Sequence, residues 1–160
     1  MANAFLVAAL VWLGPTPATI AASQPPKACT LLTLADVTAV LGAGYAQGPD
    51  VAITNTSEIS TCVYQRGRGN SVAIAILPAP NGDAKGAVLS RQQSQQRFGR
   101  AVTPLLGVCD VAFVVVITPT NTTLISAKGP WQIELQITTG DKPNPDAEQR
   151  LAKTVCGRVP

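Results

Sequence analysis

The chain has 160 residues, of which 46% are apolar and 13% are charged, so it can form the core of one domain and lacks the composition of a disordered segment. The formal net charge of +3 is too small to indicate a nucleic-acid-binding surface, and no recognition-helix or zinc-knuckle pattern is present. The absence of histidine excludes Ser-His and Cys-His nucleophile pairs and imidazole metal ligands. We therefore expect a protein that is not an enzyme, needs no metal or cofactor and binds no nucleic acid.

The beginning of the chain has the pattern of a signal peptide. Residues 4–13 form an apolar run of the length of a signal-peptide core, which is too short to span a bilayer. Small residues follow, and we expect cleavage after Ala21 or Ala22. The prediction is a signal peptide over residues 1–22, a flexible leader over 23–28 and one domain over 29–160. The alternative is an N-terminal core helix, but Ser-Gln-Pro-Pro after the run is typical of a leader.

The first helix is predicted over residues 29–42. Thr33 can cap its N-terminus, and Asp36 lies three residues later at the positive end of the helix dipole. Gly42 ends the helix, because glycine adopts the left-handed conformation most easily. Apolar residues at helical spacing give the helix one apolar face, formed by Leu34, Val37, Val40 and Leu41.

Three strands are predicted in the first half of the domain. Residues 51–54 form a short edge strand, and residues 59–65 alternate between two faces, with Cys62 and Tyr64 on the same face. A glycine-rich turn then pairs this strand with residues 71–77 as a hairpin. Both faces of this third strand are apolar, which predicts a central place in a sheet.

The second half repeats this arrangement. A helix is predicted over residues 83–98 with its glutamines and arginines mostly in solvent, and residues 102–107 form a proline-containing connector. Residues 111–117 are a continuous apolar run, typical of a fully buried strand, and residues 122–127 form the next strand.

The last strand and the last helix have the clearest patterns. Residues 131–138 alternate regularly, which predicts a strand with Trp131 as an apolar core anchor and the polar residues on one wet face. Asn144 followed by Pro145 is typical of a helix start, and Gly157 ends the helix. The order helix, three strands, helix, three strands, helix predicts an α+β fold with a mostly antiparallel sheet of about six strands and helices packed on one face.

The four cysteines predict two disulfides, because an even count in a small exported domain indicates a disulfide framework. Of the three possible connectivities we predict Cys29–Cys62 and Cys109–Cys156. Each bond then joins a helix-associated cysteine to a strand or strand edge within its own half of the chain. A four-thiolate zinc site and a redox-active pair are the alternatives, and both lack the C-x-x-C spacing that would indicate them.

The segments ACTLLTLADVTAVLG, CVY and GVCDVAF, with the closing amphipathic helix, resemble a family of secreted proteins and lipoproteins of unknown function in mycobacteria and streptomycetes. In that family a leading cysteine opens a Leu-Leu-Thr helix, and a Gly-x-Gly-Asp-x-Ala-aromatic segment precedes the buried strand. The chain departs from the pattern at Cys109, where the family more often has glycine, and a disulfide to Cys156 would account for this. The resemblance implies a fold and a location in the actinobacterial cell envelope.

The arginines give one candidate binding site. Arg66 and Arg68 lie on the hairpin turn, and with Arg91 and Arg97 they could form an anion-binding rim for cell-wall polymers or lipid headgroups. The sparse spacing favours the alternative, in which these side chains belong to a solvated turn and a polar helix face.

The carboxylates give no acid/base pair at a defensible spacing. Asp110 can serve as a functional carboxylate, but capping the turn into a strand is the favoured interpretation, and Glu134 is expected in solvent on a polar strand face.

The favoured hypothesis is therefore a secreted or envelope-associated binding or interaction module that is monomeric, with an unknown envelope ligand or protein partner and no transmembrane segment after cleavage. A protein inhibitor of an exported enzyme is the first alternative, and it would present an exposed apolar loop. A hydrolase that uses carboxylates alone is the second, and it needs two acids converging in a pocket.

Overall fold

The computed structural model describes residues 24–48, 58–79, 93, 95, 102–140 and 142–160. The predicted signal peptide, the predicted strand 51–54 and most of the predicted helix 83–98 lie outside the described residues. Within that helix, Gln93 and Gln95 are described, and both are helical and exposed.

Three helices and seven strands are described. The helices are α1 (Ala28–Leu31), α2 (Leu34–Leu41) and α3 (Pro145–Arg158). The strands are β1 (Ala46–Gln47), β2 (Ser60–Gln65), β3 (Ser71–Pro78), β4 (Val102–Leu105), β5 (Val111–Thr118), β6 (Asn121–Lys128) and β7 (Trp131–Thr138).

The strands form one seven-stranded sheet in the order β1-β2-β3-β7-β6-β5-β4, and every neighbouring pair is antiparallel. The predicted α+β class with an antiparallel sheet is therefore confirmed. The central place predicted for the third strand is also confirmed, because β3 lies between β2 and β7. None of the described helices is long and apolar enough to cross a bilayer.

The predicted connector over residues 102–107 is wrong, because Val102–Leu105 is a strand at one edge of the sheet. Pro104 argued against a strand in the sequence, since proline has no backbone N–H to donate to a neighbouring strand. At the edge of a sheet, however, one side of the strand has no neighbour, so proline is tolerated there. The two-residue strand β1 at the opposite edge was also not predicted, because two residues carry no alternation.

The predicted first helix is interrupted. Leu32 is extended, with φ −121° and ψ 113°, and so separates α1 from α2. The predicted helix start at Thr33 is confirmed: its hydroxyl accepts from the Asp36 amide at 3.3 Å, and Asp36 accepts from the Thr33 amide at 2.8 Å. Leu34, expected on the buried face, is 37% exposed, because the interruption puts the fully buried Leu32 into the core instead.

The main core lies between the three helices and one face of the sheet, as predicted. Residues directly opposite each other in antiparallel strands share a face, and one such row crosses β2, β3, β7 and β6 at Cys62, Ile74, Leu135 and Leu124. These four side chains belong to the same buried cluster as residues from each helix, including Leu31, Val37 and Leu151.

A smaller buried cluster lies on the other face of the sheet and contains Val102, Phe113, Val115 and Ile125. Burial on both faces explains why β5 appeared as a continuous apolar run, although its burial ends before Val116, which is 39% exposed beside a register shift.

Strand β7 has the predicted bounds, and its Trp131 is buried as expected. Gln132 departs from the predicted alternation and is only 5% exposed. Its amide donates to the Glu134 carboxylate at 2.7 Å, which satisfies a polar group that would otherwise be costly to bury.

Both predicted disulfides are present. Cys29–Cys62 joins α1 to β2 with a Cα–Cα distance of 5.1 Å, and Cys109–Cys156 joins the β4–β5 turn to α3 with a distance of 5.3 Å. The bonds thus fasten the first and last helices to the sheet.

Candidate functional site

An open cleft of about 590 Å³ lies where three segments distant in sequence meet. These are the C-terminal end of α2 with the following Tyr45, the β2–β3 turn, and the connection from β7 to α3. Small-molecule sites usually have volumes of about 300–1,000 Å³, so the cleft is large enough for a ligand of that class.

Arg66, at the start of the β2–β3 turn, lines the cleft and is held in place on two sides. Its Nη1 donates to the carbonyls of Leu41 at 3.2 Å and Ala43 at 3.4 Å, and its guanidinium lies over the Tyr45 ring, 4.8 Å from the centroid. The first bond satisfies one of the carbonyls left without a partner at the end of α2. Gly44 makes room for the arginine stem, because a Cβ at that position would lie 3.2 Å from the Arg66 Cδ.

The other wall of the cleft is the connection from β7 to α3. Asn144 caps α3 by accepting from the Ala147 amide at 3.1 Å, and Pro145 occupies the first helical position. The Gly140 amide donates to the Asn70 side chain at 3.2 Å, which ties this connection to the β2–β3 turn across the cleft. The walls are therefore joined by a hydrogen bond between residues 70 positions apart.

Two cationic side chains, Arg66 and Lys142, line the cleft. Among the described residues neither of them forms an ion pair, since the two ion pairs found there are Lys128–Asp110 and Arg158–Asp36. Asp146, in the first turn of α3, is the one described carboxylate that lines the cleft. The described charges of the cleft therefore sum to a positive value.

The four arginines of the predicted rim occupy different positions. Arg66 is half-buried in the cleft, whereas Arg68 is exposed at the tip of the turn and is not among the lining residues. Arg91 and Arg97 lie outside the described residues. Lys142 and Tyr45 were missed as site residues, because no local motif marks side chains brought together by three separate segments.

Asp36 and Asp110 are described carboxylates outside the cleft, and both have structural partners. Asp36 completes the α2 cap and also binds Arg158 on α3 at 2.5 and 2.9 Å, and the Arg158 guanidinium holds the pKa of Asp36 well below its usual range. Asp110 accepts from the Gly129 amide at 2.8 Å and from Lys128 at 3.2 Å, and the first of these bonds contributes most to lowering its pKa. Asp110 therefore anchors the β6–β7 turn, a structural role different from the expected capping of the turn into its own strand.

Glu148 is a fully buried carboxyl on the sheet-facing side of α3. It accepts a hydrogen bond from the Thr122 hydroxyl on β6, while its Oε2 has no hydrogen-bond partner among the described residues. Burial raises the pKa of Glu148 to about 7, and the bond from Thr122 and a contact with the Ile137 backbone oppose that rise. The sequence contains a pattern that could have predicted the burial of Glu148. It is the one polar residue on the apolar face of α3, which is otherwise formed by Ala147, Leu151, Ala152 and Val155.

Leu106, in the β4–β5 turn, is 90% exposed. The backbone on its C-terminal side is fixed, because Val108 is buried and Cys109 is bonded to Cys156 on α3. Gly107 has φ +69°, a left-handed conformation suited to glycine. The turn therefore presents one apolar side chain from a braced backbone.

Within the described residues, no group of three or more acidic or cysteine side chains is arranged to hold a metal ion. Comparison of the chain with protein-family models, curated proteins and solved structures finds no match.

Proposed function

We propose that this protein is an exported, non-catalytic binding module of the actinobacterial cell envelope and that the cleft is its ligand site. The observation that carries the proposal is the cleft itself, which combines a suitable volume with two cationic side chains that have no ion-pair partner among the described residues. Such groups favour binding of an anionic ligand because their charges are not compensated locally.

Two further observations support export. Disulfides form and persist in oxidising compartments outside the cytoplasm, and the fold contains two of them. The N-terminal apolar run has the length of a signal-peptide core. The envelope location rests on the sequence resemblance to secreted proteins and lipoproteins of mycobacteria and streptomycetes.

The proposal is tested by amide NMR on the oxidised protein, titrated with soluble peptidoglycan fragments and short-chain phospholipids. We expect at least one of these ligands to shift signals of cleft residues such as Leu41, Asn70 and Asn144, and to be recovered chemically unchanged after long incubation. Shifts confined to residues outside the cleft, or cleavage of the ligand, would contradict the proposal.

The alternative function is that of a protein inhibitor of an exported enzyme, and the braced turn around Leu106 favours it. A single apolar side chain on a fixed turn can enter a pocket of a partner with little loss of conformational entropy. For this function, Leu106→Ser should abolish inhibition of the partner enzyme and leave ligand binding in the cleft unchanged.

A carboxylate-only hydrolase is the less favoured alternative. Such an enzyme needs two carboxyl groups that converge on the substrate. Among the described residues, Asp146 is the one carboxylate that lines the cleft.

A further inference from the structure

The charges of the cleft limit what its ligand can be. Arg66 and Lys142 provide two positive charges, and Asp146 provides a negative one. A densely charged polyanion would meet repulsion from Asp146, whereas a ligand with a single anionic group can contact the two cations and avoid it.

Arg66 is prepared for such a contact. A guanidinium has five N–H donors, and the described hydrogen bonds to Leu41 and Ala43 both come from Nη1. The Tyr45 ring fixes the plane of the group, so less conformational entropy is lost when it binds a carboxylate or phosphate.

The same cleft has an apolar side. Val40 and Leu41 are half-buried and pack on the main core with part of each side chain accessible, and Pro143 and Pro145 stand on the opposite wall. Since proline has a fixed φ and no backbone N–H, this wall offers a rigid surface with few donors.

We propose that the cleft binds a small amphiphilic anion, whose carboxylate or phosphate group contacts Arg66 and Lys142 and whose apolar chain lies along Val40 and Leu41. This inference rests on the proposed function, because it specifies the ligand class of the same cleft.

The test uses four probes with the oxidised full chain, each below the concentration at which it forms micelles: dodecanoate, dodecyl phosphate, dodecyl maltoside and inorganic phosphate. Calorimetry gives the affinity, and amide NMR locates the bound probe. We expect one or both anionic amphiphiles to bind in the cleft, the tighter of the two identifying the headgroup. Inorganic phosphate and the uncharged maltoside should bind at least about tenfold more weakly, since each lacks one half of the interaction.

Two substitutions and a matched control extend the test. Lys142→Gln removes an exposed charge without a described ion-pair partner and should weaken binding about fivefold, and Arg66→Gln should weaken it about tenfold or more. Lys153→Gln, which removes an exposed lysine of α3 outside the cleft, should leave the affinity unchanged. Because Arg66→Gln also removes bonds to α2, the Lys142 variant keeps the test valid if the arginine variant is unstable.

The results that overturn the inference differ from those that overturn the proposed function. If dodecyl maltoside binds as tightly as the anionic amphiphiles, or if Lys142→Gln leaves their affinity unchanged, the proposal that the ligand must carry an anionic group is refuted. If inorganic phosphate binds as tightly as the anionic amphiphiles, the proposed contact between an apolar chain and the cleft is refuted. If the four probes leave the cleft signals unchanged while a peptidoglycan fragment shifts them, the ligand class is wrong and the proposed function stands. If nothing in either set shifts them, both are wrong.

Discussion

The buried carboxyl of Glu148 makes the stability of the fold depend on pH in a direction opposite to that of a paired carboxylate. Burial raises its pKa from the ordinary value of 4.5 to about 7. Below pH 4.5 the group is protonated in both the folded and the unfolded chain and has no effect on their balance. As the pH rises from 4.5 to 7, the unfolded chain loses this proton first, so the free energy of unfolding falls, and above pH 7 the loss is complete at about 3 kcal/mol.

Glu148→Gln should remove this dependence, because the amide keeps the shape of the side chain and an oxygen that can accept from Thr122. At pH 8 the variant should unfold at a temperature roughly 10 °C higher than the wild type, and at pH 4 the two should lie close together. Thermal and urea unfolding followed by circular dichroism at both pH values measures the difference. Glu58→Gln, at an exposed position, is the control and should behave like the wild type. If the unfolding temperatures of the wild type and Glu148→Gln differ by the same amount at pH 4 and pH 8, the conclusion that burial raises the pKa of Glu148 is refuted.

Three further outcomes are expected. Replacing Cys109 and Cys156 together by alanine should lower the free energy of unfolding by about 4 kcal/mol, measured by urea unfolding, because the bond closes a loop with a sequence separation of 47; a loss below 1 kcal/mol would contradict this loop-closure argument. Asp36→Asn should cost about 1–2 kcal/mol at pH 7 through the cap and the pair with Arg158. The gap to wild type should shrink progressively as the pH falls below 3.8, since the stabilisation that comes from the lowered pKa of Asp36 is complete only above that value; a gap independent of pH would contradict this. Tyr64→Phe should cost about 1–2 kcal/mol in the same assay, because its buried hydroxyl donates to a backbone carbonyl between α1 and α2, and an unchanged midpoint would show that the carbonyl finds another donor.

Local patterns predicted those parts of the fold that local chemistry determines. The alternation over Trp131–Thr138 gave the bounds of β7, since one face of that strand packs on the core. The Thr33–Asp36 spacing identified the capped helix start, because both hydrogen bonds of the box lie within four residues. The cysteine pairing followed from the expectation that each bond joins a helix to the strands of its own half, and the disulfides have this form.

The remaining features depend on contacts between distant segments. Pro104 argued against a strand, and its place at the sheet edge is set by pairing with β5. Gln132 is buried although the alternation put it in solvent, because burial depends on what covers that face and not on the period. The cleft joins the ends of α2, β2 and β7, so Arg66 could be singled out from its glycine-rich turn, while Lys142 could not.

The most direct measurement is a native mass spectrum, combined with thiol alkylation, of the protein recovered from the outside of the cells that produce it. We expect all four cysteines to resist alkylation without prior reduction, and we expect the folded protein to carry a small anionic amphiphile whose occupancy is lower in Lys142→Gln. Alkylation of the unreduced protein, with no bound molecule at any salt concentration, would contradict both the export and the recognition role of the cleft.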